Sequence, residues 1–169
     1  MPLFILAILT LLLAVSLITD IASRRILNIV TFPAIAAGFL YHTVTSGIDG
    51  FLFSGAGFLV GFGVLLIPFM LGGMGAGDVK LMAAVGALTG MSFTLAAFVL
   101  AAFIGGFLAL FMVLKRHGVF SSFKTAIYAL PFMKGSFQEM RQTAKSTTMP
   151  YGVAIVLGTV SAYAGGFGL

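Results

Sequence analysis

The chain has 169 residues, of which 60% are hydrophobic and only 8% charged, and its formal net charge is +5. A water-soluble domain carries about a quarter charged residues, so this composition excludes a soluble globular fold and leaves a single membrane domain. Cysteine is absent, which excludes disulfides, thiolate metal sites and a cysteine nucleophile. The basic excess is accounted for by loops facing anionic lipid, without nucleic acid as a partner.

Taken in order, the apolar runs predict an all-α, polytopic membrane protein of about six transmembrane helices. Helix 1 is expected over about Leu3 to Thr19, and with its first basic residue at Arg24 it reads as a retained span rather than a cleaved signal peptide. Helix 2 follows over about Ile29 to Thr45 and helix 3 over about Phe51 to Leu71, joined by a Ser-Gly-Ile-Asp-Gly turn that accounts for Asp49. A shorter apolar piece, Val79 to Leu88, is entered through Gly72, Gly73, Gly75 and Gly77 and is taken as helix 4. Helix 5 runs over about Phe93 to Leu114 and helix 6 over about Pro150 to Phe167. Residues 116–149 mix Phe and Tyr with Lys, Arg and Gln, a pattern for an amphipathic piece on the inner leaflet or a cytoplasmic loop.

Charge supports counting the short helix 4 as a span. With it, all nine Lys and Arg (Arg24, Arg25, Lys80, Lys115, Arg116, Lys124, Lys134, Arg141 and Lys145) fall on one side. The positive-inside rule makes that side cytoplasmic and puts both termini outside.

Only four residues are acidic: Asp20, Asp49, Asp78 and Glu139. Asp20 ends helix 1, which rises about 25 Å, close to the hydrocarbon thickness. Asp78 opens helix 4 from the same side, where it is also suited to an N-cap. Two carboxylates at one depth on separate helices can meet inside a bundle, and an acid near the bilayer is a functional hypothesis by default. The glycine-rich approach to Asp78 is poor helix, and it lets another backbone come close. It is no phosphate loop, having no Gly-Lys-Ser/Thr after a strand. Ser16, Ser54, Ser92 and Ser161 have no histidine at matching depth, since His42 lies toward the outer face and His117 in the inner loop; a serine triad is therefore disfavoured. No metal-ligand cluster occurs at ligand spacing, and no cofactor is expected. Either an aspartic protease or a non-catalytic assembly or ion-transport protein could use such acids. Their place at the membrane edge, rather than its middle, favours the protease.

Three stretches carry a resemblance. Asp20-Ile21-Ala22-Ser23-Arg24-Arg25-Ile26-Leu27-Asn28 is similar to the Asp-x-x-x-Arg-x-Ile-Pro-Asn stretch of the type IV prepilin peptidases, with Leu27 in place of Pro. Gly75-Ala76-Gly77-Asp78-Val79-Lys80 resembles their Gly-x-Gly-Asp-x-Lys motif, and Pro150-Tyr151-Gly152 their Pro-Phe/Tyr-Gly. The resemblance implies Asp20 and Asp78 as a catalytic pair, with Gly75, Gly77, Arg24, Asn28 and Lys80 lining the substrate site. It implies pilin-like precursors as substrates, cut at the cytoplasmic face just before an apolar helix. Without the cysteine-bearing insertion of larger members, the chain resembles the short, peptidase-only form of Flp/Tad-type pili or archaeal filaments, which does not methylate its product.

Overall fold

The computed structural model describes residues 1–23, 25–71, 74–128 (backbone alone for 112–128) and 151–167. These residues form five helices: α1 (Leu3–Ser23), α2 (Asn28–Met70), α3 (Ala76–Thr89), α4 (Met91–Tyr128) and α5 (Tyr151–Ala164). Three stretches, Leu3–Ser23, Asn28–Met70 and Met91–Phe111, are long and apolar enough to cross a membrane. Their outward faces carry Leu3, Leu11, Ile18, Ile29, Leu40, Ile67, Phe103 and Phe107, all exposed. An apolar belt of that extent is stable only against lipid, and the chain is an integral membrane protein.

At 43 residues, α2 would reach about 64 Å if straight, twice the hydrocarbon thickness. It folds back on itself instead. Gly47 has φ 60° and ψ −133°, a conformation that only glycine adopts without strain. Beyond it the arms 28–46 and 48–70 lie side by side: Gly50 sits against the His42 carbonyl, and the Phe39 and Phe51 rings pack with centroids 5.3 Å apart. The turn expected at residues 46–50 is thus a reversal confined to one residue, and Asp49 is exposed beside it.

The short helix α3 is the centre of the molecule. From Leu81 to Leu88 every residue is buried. Its small residues admit both arms of α2 to backbone contact: Gly57 packs face to face with Gly86, Gly61 lies against Met82 and Ala83, and a Cβ on Gly38 would come within 2.6 Å of the Ala87 carbonyl oxygen. Two donors seal the end of the helix, where carbonyls lack helical partners. The Ser54 hydroxyl lies 2.9 Å from the Ala87 carbonyl and 3.1 Å from that of Gly38, and His42 Nε2 donates to the Leu88 carbonyl at 3.0 Å. Gly90, at φ 80° and ψ 175°, then ends α3 and its N–H bonds back to the Gly86 carbonyl.

On the other side, α5 packs between α1 and α4. Gly158 lets it approach the Ala101 backbone, and Gly105 faces Ala154. Buried Thr89, Thr94 and Thr159 return their hydroxyls to carbonyls four residues back, so no hydroxyl among these three is left bare in the apolar core. Helix 5 was expected to end at Leu114. The backbone of α4 instead stays helical to Tyr128, because loss of apolarity at Lys115 and Arg116 removes the reason to be in lipid but not the reason to be helical. It therefore covers the first part of the expected 116–149 segment. Residues 129–150, with Lys134, Glu139, Arg141 and Lys145, lie outside the described residues.

The glycine contacts between α2 and α3 set an expectation. Gly57→Ala drives a methyl into the Gly86 carbonyl, an overpacking expected to cost about 1–3 kcal/mol. Gly63→Ala, with open space around the new carbon, is expected to be neutral or to stabilise by up to about 1 kcal/mol. Thermal unfolding of the two variants in one detergent checks the difference.

Candidate active site

Asp20 closes the buried stripe of α1 that runs through Ile5, Leu9, Leu12, Leu13 and Ser16. The period of three and four residues puts the acid on the core face, where it exposes only 5% of its surface. The helix continues one turn past it to Ser23, so Asp20 is a side chain within a helix rather than at its frayed end. A turn earlier on the same face, the buried Ser16 hydroxyl makes no hydrogen bond among the described residues.

Asp78 stands in the first turn of α3 and exposes 8%. It is not the N-cap. That position is taken by Gly75, whose backbone is extended at φ −81° and ψ 149°. Asp78 reaches back from the third helical position, and its Oδ2 accepts the Gly75 N–H at 3.2 Å. The geometry satisfies one of the N–H groups that a helix start leaves bare, and it sets the carboxylate at the positive end of the helix dipole. The helix starts at Ala76 rather than Val79 because this back-bond lets Gly77 join its first turn.

Asp20 is held from outside its own helix. The Val153 N–H, in the first turn of α5, donates to Asp20 Oδ2 at 3.3 Å. Gly152 makes this approach possible, since a Cβ there would lie 2.6 Å from the same oxygen. Each acid thus meets the N-terminal turn of a helix, Asp78 its own and Asp20 that of α5. The two carboxylates lie within electrostatic reach of each other, and the Tyr151 hydroxyl within that of Asp78. Three helices therefore converge on one buried junction that holds two acids, two backbone donors and a phenol. Among the described residues no cluster of three or more His, Cys, Asp or Glu could hold a metal ion.

The other residues singled out from the sequence divide. Gly77 faces Ile26, with a Cβ placed 3.0 Å from the Ile26 Cβ, so its small size serves packing between α3 and the chain before α2. Gly75 is exposed beside Asp78. Lys80 and Asn28 meet: Lys80 Nζ donates to Asn28 Oδ1 at 3.0 Å. Arg24, Gly72 and Gly73 lie outside the described residues. Sequence reasoning assigned no role to Val153, Tyr151 or Gly152. The signal open to it was the Gly152 of a motif already noted, a residue without a side chain where an acid's bulk has to fit.

The family model for the type IV leader peptidase family matches residues 7–110. Searches of curated proteins and of solved structures found no match. The matched span holds both aspartates and ends before α5, so the Gly152–Asp20 contact lies partly outside it.

Gly152→Ala is expected to push the Asp20 carboxylate aside without unfolding the bundle. A displacement of about 1 Å at a reacting group costs on the order of a hundredfold in rate. Leader-peptide cleavage, measured at matched membrane levels, is therefore expected to fall about 10- to 100-fold, while Gly106→Ala, in open space, leaves it unchanged.

Proposed function

Because the chain belongs to the type IV leader peptidase family, whose members are aspartic-type prepilin peptidases that remove leader peptides, we propose that Asp20 and Asp78 are its catalytic pair. The observation that carries this reading is their convergence. They come from two separate sequence stretches, both are buried, they lie within electrostatic reach of each other, and one oxygen of each is tied to a backbone N–H.

The chemistry follows from charge. Two buried carboxyls within electrostatic reach of each other do not both ionise cheaply, so they share one proton. A water between them loses a proton to the ionised member as its oxygen attacks the scissile carbonyl carbon. The protonated member donates its proton to the carbonyl oxygen, and a tetrahedral diol forms. In the second half the acid that gained a proton passes it to the amide nitrogen. One diol hydroxyl returns its proton to the other carboxylate, the C–N bond breaks, and the shared proton is restored. The backbone donors from Gly75 and Val153 hold the carboxylates in place for both halves. Exposed Gly75 gives an extended substrate room to approach Asp78.

In the membrane, six crossings fit this fold: α1, the two arms of α2, α3, the Met91–Phe111 part of α4, and α5, all within one peptidase domain. The short α3 crosses as a helix sheathed by protein, where backbone and polar groups need no lipid-facing apolar cover. This topology gathers the nine basic residues and both acids at one face, the cytoplasmic one. There the prepilin-like precursor presents the junction of its short basic leader and its apolar helix.

Co-expression with a prepilin-like precursor and mass measurement of the product tests the pair. Asp20→Asn and Asp78→Asn are each expected to lower cleavage by about 100- to 10,000-fold, the range of acid–base catalysis, with Asp49→Asn and Glu139→Gln unaffected. Near-parent cleavage by either amide variant at the dyad overturns the assignment. For topology, tags at residue 47 and at the C-terminus are expected on one side and a tag near residue 122 on the other.

A further inference from the structure

The Lys80 side chain runs from α3 to the start of α2. Its ammonium donates to Asn28 Oδ1 at 3.0 Å and stands 5.5 Å from the centre of the Phe32 ring, one turn further along the same helix. Both contacts act on a cation, and cations bind amide oxygens and aromatic faces more firmly than neutral donors do. Three residues before Lys80, Gly77 rests on Ile26, where an added Cβ would stand 3.0 Å from the Ile26 Cβ. The stretch 26–32 therefore touches α3 on both sides of Asp78: through Ile26 just ahead of it and through Asn28 and Phe32 just after it. Asp78 itself is turned inward and buried, so the contacts that surround it act on the helix turn that carries it.

We propose that Lys80 and Asn28 are positioning residues: together they latch the first turn of α3 to the start of α2 and so hold Asp78 in register with Asp20. This rests on the aspartate pair being catalytic and departs from the expectation that Lys80 and Asn28 line the substrate site. The ammonium is already engaged on two sides by the protein's own groups. Losing the latch frees the 25–28 segment from α3 and lets the Asp78 turn shift, which lowers the fraction of molecules with the two carboxyls correctly spaced.

The test compares Lys80→Met, Asn28→Ala, the double variant, and the exchange Asn28→Lys/Lys80→Asn, which can rebuild the same hydrogen bond with its ends swapped. Cleavage kinetics on a prepilin-like precursor in detergent–lipid micelles are read as kcat and KM separately. A latch predicts that each single change lowers kcat about 5- to 20-fold with KM within about twofold. It also predicts that the double variant is no worse than the weaker single one, and that the exchange recovers to within about threefold of the parent. Losses that appear in KM and multiply in the double variant identify substrate contacts, and unchanged kinetics identify a lysine that serves only the lipid headgroups; either overturns the proposal. A second measurement does not depend on cleavage activity. Arg25 is exposed next to the latch, so limited trypsin digestion at that site is expected to run at least about fivefold faster in both single variants, with cutting at the other sites they share with the parent unchanged. Unaltered digestion at Arg25 also overturns the latch. A parent protein that cuts no precursor, yet shows this digestion pattern, counts against the aspartate reading and not against the latch.

Discussion

The fold depends on the approach of one backbone to another. Gly57 against Gly86, Gly61 against Met82 and Gly38 against Ala87 bring α3 so close to both arms of α2 that no side chain fits between them. In lipid there is no hydrophobic drive to push helices together, and close van der Waals packing at small residues takes its place. The consequence reaches the site directly. The helix that carries Asp78 is clamped along its length by the arms of a hairpin, so the acid at its start has a fixed depth and a fixed rotation. A helix of ordinary side chains would leave α3 free to turn by some tens of degrees, enough to remove the carboxylate from its partner.

The same economy explains how two acids are tolerated away from water. Each receives a backbone N–H at a helix start. Fixed dipoles of this kind stabilise a negative charge without cancelling it, which suits the proposed pair, where charge has to move during the reaction.

Much of this was legible in the residues. The two aspartates stand out because a chain with four acids places two of them at the same end of apolar runs. The reversal at Gly47 sits inside the turn that Ser46 to Gly50 announced. The short helix was legible in the apolar run Val79 to Leu88, which falls within α3. Other features were not legible because they depend on distances between segments far apart in sequence. The Gly152 contact with Asp20 spans 132 residues, and the Lys80–Asn28 bond joins two motifs that each looked complete in isolation. Asp78 reads as an N-cap because it precedes an apolar run; the extended Gly75 and the N–H it donates back to Asp78 move the start of the helix three residues earlier. The end of α4 lies beyond its apolar run for a different reason: apolarity reports where a helix meets lipid and is silent on where the helix stops.

The brevity of α3 makes it a short spacer. At 14 residues it rises about 21 Å, against a hydrocarbon thickness of about 30 Å. Its far end meets a recess of about 260 Å³ lined mostly by apolar side chains, Ile5, Phe53, Leu88 and Phe93 among them. Asp78 in the first turn is therefore held within about 21 Å of that recess, a distance set by helix length and not by any side chain.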